Sequence, residues 1–280
     1  NMVVGEAADI NLSLAFEVLD YALLSAPGAP LKQALLDAKI GKDIYGSFED
    51  GIKQTYFSIV AKGANLSQKE EFVKVIRDTL TKIMEEGIDK KAVTAGINYY
   101  EFRFREADFS SYPKGLMYGL DILSSWLYDD TKPFCEVQLL EGFEFLKKAL
   151  EEGYFEDLIR KYLLDNTHGA ILSLVPEKGL AAKRDKELEE KLENYRKSLS
   201  DEELTRMVEN TKALEAYQES EEDPEALTCI PMLSREDIKK EITGLTNEEH
   251  YVDDSLFLYH DVCTNGIGYV DLMFKTDSIA

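Results

Sequence analysis

The chain has little cysteine, no long apolar run and no excess of positive charge, and each shortage removes a class of function. Its three cysteines, Cys135, Cys229 and Cys263, lie far apart with no C-x-x-C pair. That leaves neither a disulfide framework nor a zinc knuckle, and it predicts reduced thiols in a cytoplasmic setting. No apolar run approaches the ~20 residues that span a bilayer. The opening, NMVVGEAAD, lacks the basic and long apolar regions of a secretion signal, and it reads as the middle of a longer chain. Acidic residues outnumber basic ones 54 to 32, for a formal charge of −22. Such a field repels phosphate backbones and anionic lipid, so no nucleic acid and no membrane is expected as a partner. The charge serves solubility or attracts basic peptides, and composition leaves both readings open. No Walker sequence and no G-x-S-x-G occurs, and Gly266 with Gly268 supplies only a bare G-x-G after a turn.

What remains is a globular pattern. Hydrophobic residues make up 44% of 280, enough for about two domains with cores of their own. Leu12, Ala15, Phe16, Leu19, Ala22 and Leu23 recur at helical spacing until Ser25-Ala26-Pro27-Gly28. A shorter helix follows Pro30 and stops at Gly41. Residues 44–48 and 54–61 are aromatic and β-branched on either side of Glu49-Asp50-Gly51, a hairpin signal. Ser67 and Glu70 read as a capping box for a helix ending at Gly87. Asp89 caps another through Val93, Ile97, Tyr100 and Phe104, and further helices are expected over 114–128, 136–151 and 154–164. Residues 168–175 return as a strand. The order predicts an α+β fold, an antiparallel sheet with helices on one face.

From Lys178 the texture changes. Leu188, Leu192, Tyr195 and Leu199 keep a narrow stripe amid Lys and Glu. Ser200 with Glu203 is a second capping box, opening a helix through Leu204, Met207, Leu214 and Tyr217. Together they predict a long antiparallel helical hairpin over 178–219, closed by the acidic linker 219–224. Ser234 should cap a short helix ending near Gly244. Residues 255–262 and 267–274, around Thr264-Asn265-Gly266, predict a terminal β-hairpin. Its apolar second strand wants cover on both faces. Residues 255–274 are therefore expected to self-associate or to stay disordered.

Several stretches in this order resemble the presequence-protease branch of the insulinase/pitrilysin zinc metallopeptidases. They are APGAPLKQAL (26–35), HGAILSLVPEKG (168–179), SLSDEEL (198–204), PEALTCIPMLS (224–234) and HDVCTNGIGYVDL (260–272). The resemblance implies two bowl-shaped halves, each of two related α+β domains, hinged by a helical arm around a closed chamber. Residues 1–176 are then most of a non-catalytic second domain, 177–246 the hinge arm, and 247–280 the first strands of the third domain. The parent enzyme would degrade short unfolded peptides, basic ones suiting an acidic chamber. The partners implied are the remainder of the same polypeptide and those peptides.

The resemblance calls for a His-x-x-Glu-His motif, two metal-binding His on one helix face with a water-activating Glu. It is absent: His168 is followed by Gly-Ala-Ile-Leu, His260 by Asp-Val-Cys-Thr, and Thr246 and Asn247 precede Glu248-Glu249-His250. In the family that motif sits in the first domain. No catalytic, cofactor-binding or metal residue is therefore assigned, zinc is expected only in the parent's N-terminal domain, and this segment alone should be inactive. His168, His250 and His260 read as structural, and Glu85-Glu86, Glu151-Glu152 and Glu221-Glu222-Asp223 as solvated helix ends and linkers. The cluster Tyr99-Tyr100-Glu101-Phe102-Arg103-Phe104-Arg105 has two readings: aromatics packed on the sheet with Arg outward, or a chamber lining that touches peptide. The rival to the whole reading is a stand-alone adaptor that docks partners through the 178–219 hairpin.

Overall fold

The turn at Asp50-Gly51 is flanked by two paired strands, as its sequence predicts. In the computed structural model, which describes residues 1–238, 240, 241, 244 and 247–276, β2 (Asp43–Glu49) runs antiparallel to β3 (Gln54–Lys62). Their register pairs Asp43 with Lys62 and Glu49 with Tyr56. A strand the sequence reading missed, β1 (Met2–Glu6), takes the other edge of β3 with a register shift between Val3 and Gly5. The sheet order is β1-β3-β2.

Helix α1 (Ile10–Asp20) is the centre of this unit. Its stripe is wider than predicted, because Ser13, Leu14 and Val18 are buried beside Leu12, Ala15, Phe16 and Leu19. A helix apolar on nearly every side has to be covered on nearly every side. α1 packs on β2 and on two later helices, α4 (Lys90–Glu106) and α6 (Leu140–Ala149). A π-helical turn, Tyr21–Ser25, follows α1 and closes with the Ala26 N–H donating to the Tyr21 carbonyl at 2.8 Å. Next comes α2 (Pro30–Asp37), with Pro at its first position, where no backbone donor is lost.

The helix expected from Ser67 begins differently. Asn65 and Gln68 form the capping box around a 3₁₀ turn, Leu66–Gln68, and α3 (Lys69–Glu86) starts after it. Asn accepts the end donors as well as Ser does, so the cap shifts upstream. Asp89 caps α4 as expected, its Oδ1 accepting from the Lys91 and Ala92 amides at 2.9 and 3.3 Å. Asp89→Ala should cost about 1 kcal/mol by leaving those donors unpaired. A urea titration followed by far-UV circular dichroism checks it, and an unchanged midpoint would contradict the assignment.

α5 (Lys114–Trp126) ends two residues short of the expected boundary. The predicted 136–151 helix breaks into a 3₁₀ turn at Cys135–Val137, then α6, then a second 3₁₀ turn at Leu150–Glu152. α7 (Tyr154–Leu158) passes into a π-helical segment, Ile159–Leu164. The strand expected at 168–175 is corrected. It makes one bridge, Gly169 with Met2, and residues 170–175 join no strand.

Residues 1–174 with the described residues from 262 onward form one compact unit, and residues 175–261 the other. In the second, α8 (Leu180–Ser198) and α9 (Asp201–Gln218) match the expected helices, and Ser200 with Glu203 forms its box. The antiparallel seam is not closed. Leu188, Leu192, Tyr195, Met207 and Leu214 are each about half exposed. Two short apolar stripes bury too little to outweigh the ordering of the corner at Leu199. α10 (Pro224–Leu227) follows, and Ser234 caps a 3₁₀ turn at Arg235–Asp237. The rest of the short helix expected there lies partly outside the described residues.

The terminal β-hairpin forms in a different register. β4 (Glu248–Val252) pairs with β5 (Ser255–Tyr259) around Asp253-Asp254, and residues 267–274 join no strand. The Asn-Gly turn itself is present: the Ile267 N–H donates to the Thr264 carbonyl at 3.1 Å, and Asn265 and Gly266 both have positive φ. Its flanks do not pair because the end of α4 takes them. Asn265 Nδ2 donates to the Arg105 carbonyl at 2.9 Å, and the Tyr269 hydroxyl to Glu106 at 3.1 Å. The exposed apolar surface on which the self-association expectation rests is still there, on Leu256, Phe257, Val270, Leu272 and Phe274.

Candidate functional site

The aromatic run on α4 divides between core and surface. Tyr100 and Phe104 pack against the core, Phe104 reaching Phe143 of α6 and not the sheet, while Tyr99, Phe102 and Arg103 face outward. Tyr99 stacks on Tyr21 of the π-helical turn at 5.4 Å between ring centres, and the Arg103 guanidinium lies 5.7 Å above the Tyr99 ring. A π turn advances more slowly around its axis than an α turn, and here it carries Tyr21 onto α4. Arg105 is not outward. It is bound to Glu101, which also accepts from Lys147 of α6 at 2.7 Å. Burial works to raise the Glu101 carboxyl, but those two cations outweigh it and hold it below the usual range.

Five carboxylates from separate segments share an electrostatic environment beside these tyrosines. They are Glu17 and Asp20 on α1, Asp50 in the β2–β3 turn, Asp121 on α5 and Glu136 in the 3₁₀ turn after it. Burial, then the negative charges of Asp50 and Glu136, push Glu17 up to about 8, with Arg103 opposing. Burial, then Asp50 and Asp121, push Glu136 up to about 7. Burial also raises Asp20, Asp50 and Asp121. Asp20 Oδ2 accepts from the Ser25 hydroxyl at 2.9 Å, while its Oδ1 is buried against Gly46 without a partner. Burial raises the Tyr100 hydroxyl as well, so it stays protonated.

A face of this kind disfavours anions and favours cationic side chains, which the stacked tyrosines can also hold through their ring faces. No nucleophile here has a base beside it, and among the described residues no three His, Cys, Asp or Glu converge as a metal-ligand set. Among the described residues, no His gathers a ligand set that fits the zinc the resemblance implies for the parent. His168 serves through its backbone, its carbonyl accepting from Val3, and His250 lies 3.4 Å from Glu248 in β4. Sequence reasoning missed the carboxylate cluster, since its members are spread from position 17 to 136. One signal was visible: Glu17 and Asp20 are charges three apart on a helix otherwise fit for complete burial.

This is an α+β unit with helices over an antiparallel sheet and a cluster of carboxylates raised by burial. The profile described as "Peptidase M16 inactive domain" matches residues 2–100, and the profile for the region associated with subgroup C of the M16 peptidases matches residues 174–280. The chain belongs to the M16 peptidase family, and the resemblance to its presequence-protease branch stands. It is 44% identical over 279 residues to Protein HypA of Clostridium perfringens, covering 100% of this chain and 29% of that protein. Presequence protease 1, chloroplastic/mitochondrial, of Arabidopsis thaliana is 34% identical over 276 residues, covering 97% of this chain and 26% of its own length. The mitochondrial presequence protease of Xenopus laevis is 26% identical over 273 residues, with 96% and 26% covered. The chain thus spans between a quarter and three tenths of these relatives' lengths.

Proposed function

We propose that this chain is the non-catalytic wall and hinge of an M16 zinc metalloendopeptidase that degrades short unfolded peptides in a closed chamber. Residues 1–176 act as the second domain, 177–246 as the hinge arm and 247–280 as the start of the third. Zinc and its water-activating Glu belong to another domain of the parent, and its separate free thiols suit a cytoplasmic setting. The observation that carries the peptide-contacting role is the cluster of Glu17, Asp20, Asp50, Asp121 and Glu136 beside the Tyr21–Tyr99 stack, with Arg103 acting on Glu17 in the opposite sense. An unfolded peptide rich in Lys and Arg meets ring faces there, and its cations favour release of the protons that burial and mutual repulsion keep on Glu17 and Glu136. No observation favours the adaptor reading.

The test is fluorescence anisotropy with a labelled, unfolded Lys/Arg-rich peptide and an acidic peptide of equal length. Binding of the basic peptide only is expected, weakening with salt, and dropping several-fold or more in the Asp50→Asn/Asp121→Asn double variant. Equal binding of both peptides, or an unaffected double variant, would overturn the contact role. Hydrolysis of either peptide by this chain alone would overturn the assignment as a non-catalytic wall.

A further inference from the structure

Arg103 is a cation without a counter-ion. Arg105, two residues on, is bound to Glu101, which also holds Lys147. Arg103 makes no ion pair among the described residues. Its charge is nonetheless felt nearby: burial raises the Glu17 carboxyl and the Tyr100 hydroxyl, and Arg103 works against the rise in both. The side chain is exposed. Holding an exposed arginine in one place costs rotamer freedom, so its seat needs a physical reason.

Tyr99 supplies it. Helical side chains lean toward the N-terminus and residues four apart are neighbours, so Arg103 falls back on Tyr99. The guanidinium lies 5.7 Å from the ring centre, and Nη1 makes a long contact with the Tyr99 hydroxyl, donating at 3.5 Å. Tyr99 is itself fixed in position. It stacks on Tyr21 at 5.4 Å and meets Tyr100 edge-on at 5.2 Å, yet 43% of its surface stays exposed. A planar guanidinium covers a ring and reaches the hydroxyl at its rim together, whereas an ammonium is a point charge that meets one or the other. The hold on Arg103 is slight, one ring contact and one long hydrogen bond. An occupant held so weakly gives way to one with more contacts.

We propose that Arg103 holds, in the free protein, the place that one arginine side chain of the bound peptide takes, and so sets how tightly that arginine is gripped. The inference rests on the peptide-contacting role argued above and names a specificity-determining residue for it. The incoming guanidinium finds a ring and a hydroxyl already positioned. It displaces Arg103 into the water beside it, and it supplies Glu17 with the positive charge that Arg103 supplies in the free chain. A peptide adds contacts along its length that Arg103 cannot match.

Two measurements on the full 280-residue chain separate this inference from the reading beneath it. The first uses labelled, unfolded peptides of equal length and charge, one carrying Arg and one Lys, followed by fluorescence anisotropy. Arg103→Gln should tighten the Arg peptide by about two- to fivefold more in the parent than in a Tyr99→Leu background. Loss of charge alone acts in both backgrounds, whereas loss of an occupant counts only where the ring is present. The Lys peptide should gain less. Equal gains in the two backgrounds, no gain, or a larger gain for Lys, with the peptides still bound, would overturn the inference and leave the peptide-contacting role standing. The second measurement replaces the peptide by arginine amide and follows the Tyr99 ring resonances by NMR. They should shift in Arg103→Gln and much less in the parent. No shift in the variant would overturn the inference whatever the peptides do. A shift without peptide binding would uphold the arginine seat and overturn the peptide-contacting role.

Discussion

Replacing Phe16 by alanine should remove about 3–5 kcal/mol of stability, the largest single loss expected in the chain. Phe16 has 0% of its surface exposed, and its ring meets three others, with centre distances of 5.7 Å to Phe48, 5.8 Å to Phe57 and 5.7 Å to Tyr162. Those partners lie on β2, β3 and the π-helical segment after α7, so one side chain from α1 joins the central strand and one edge strand to the far end of the helical layer. Truncation loses the transfer free energy of the ring and leaves a cavity bounded by elements that are each held elsewhere, which prevents collapse into the space. A domain typically holds about 5–15 kcal/mol in total. The variant is therefore expected near the threshold of folding. Urea titration with near-UV circular dichroism measures the effect, with Phe145→Ala, on the outward face of α6, as a control expected to lose under about 1 kcal/mol. Equal losses in both variants would mean that Phe16 is not the keystone its contacts describe.

That centre was largely legible in the sequence, because helical periodicity and the Asp-Gly turn act over a few residues. Phe16, Leu19 and Leu23 announce a buried helix, and residues 44–61 announce a hairpin. What escaped depends on long-range pairing. β1 is five residues at the chain start, without alternation long enough to read, and it exists because β3 some fifty positions later offers a free edge. The Asn-Gly turn at 265–266 is an instructive failure. Its local chemistry was read correctly, but the Asn265 side chain finds the last carbonyls of α4, and that bond competes with the ladder the turn would otherwise nucleate. The helical stripes of α8 and α9 were legible, whereas whether they close on each other is set by a balance of burial and ordering that spacing does not reveal. The acidic cluster was the least legible of all. Its five members come from three elements and a turn, and only folding gives them a common field.

That field gives the second large expectation, a stability that falls as pH rises. The Glu17 carboxyl stands at about 8 in the fold against an ordinary value of 4.5. Below pH 4.5 it is protonated in both the folded and the unfolded chain and contributes nothing. Between 4.5 and about 8 the unfolded chain releases the proton while the fold retains it, so each pH unit costs about 1.4 kcal/mol. Above 8 the whole penalty is present and constant. The full rise sets an upper bound of about 5 kcal/mol, and since Glu17 keeps some contact with water, a cost on the order of 3 kcal/mol is expected. Glu17→Gln keeps the shape and removes the titration. The variant should match the parent near pH 4 and exceed it by on the order of 3 kcal/mol at pH 9. Glu136→Gln should act in the same direction over a lower and narrower range, because its carboxyl rises only to about 7. The two share Asp50 as a repelling neighbour, so the double variant should gain less than the sum of the singles. Urea titrations at pH 4, 6, 7.5 and 9 measure all of this. Parallel stability curves for parent and Glu17→Gln would show that the carboxyl ionises freely in the fold, and the burial and repulsion assigned to it would be overturned.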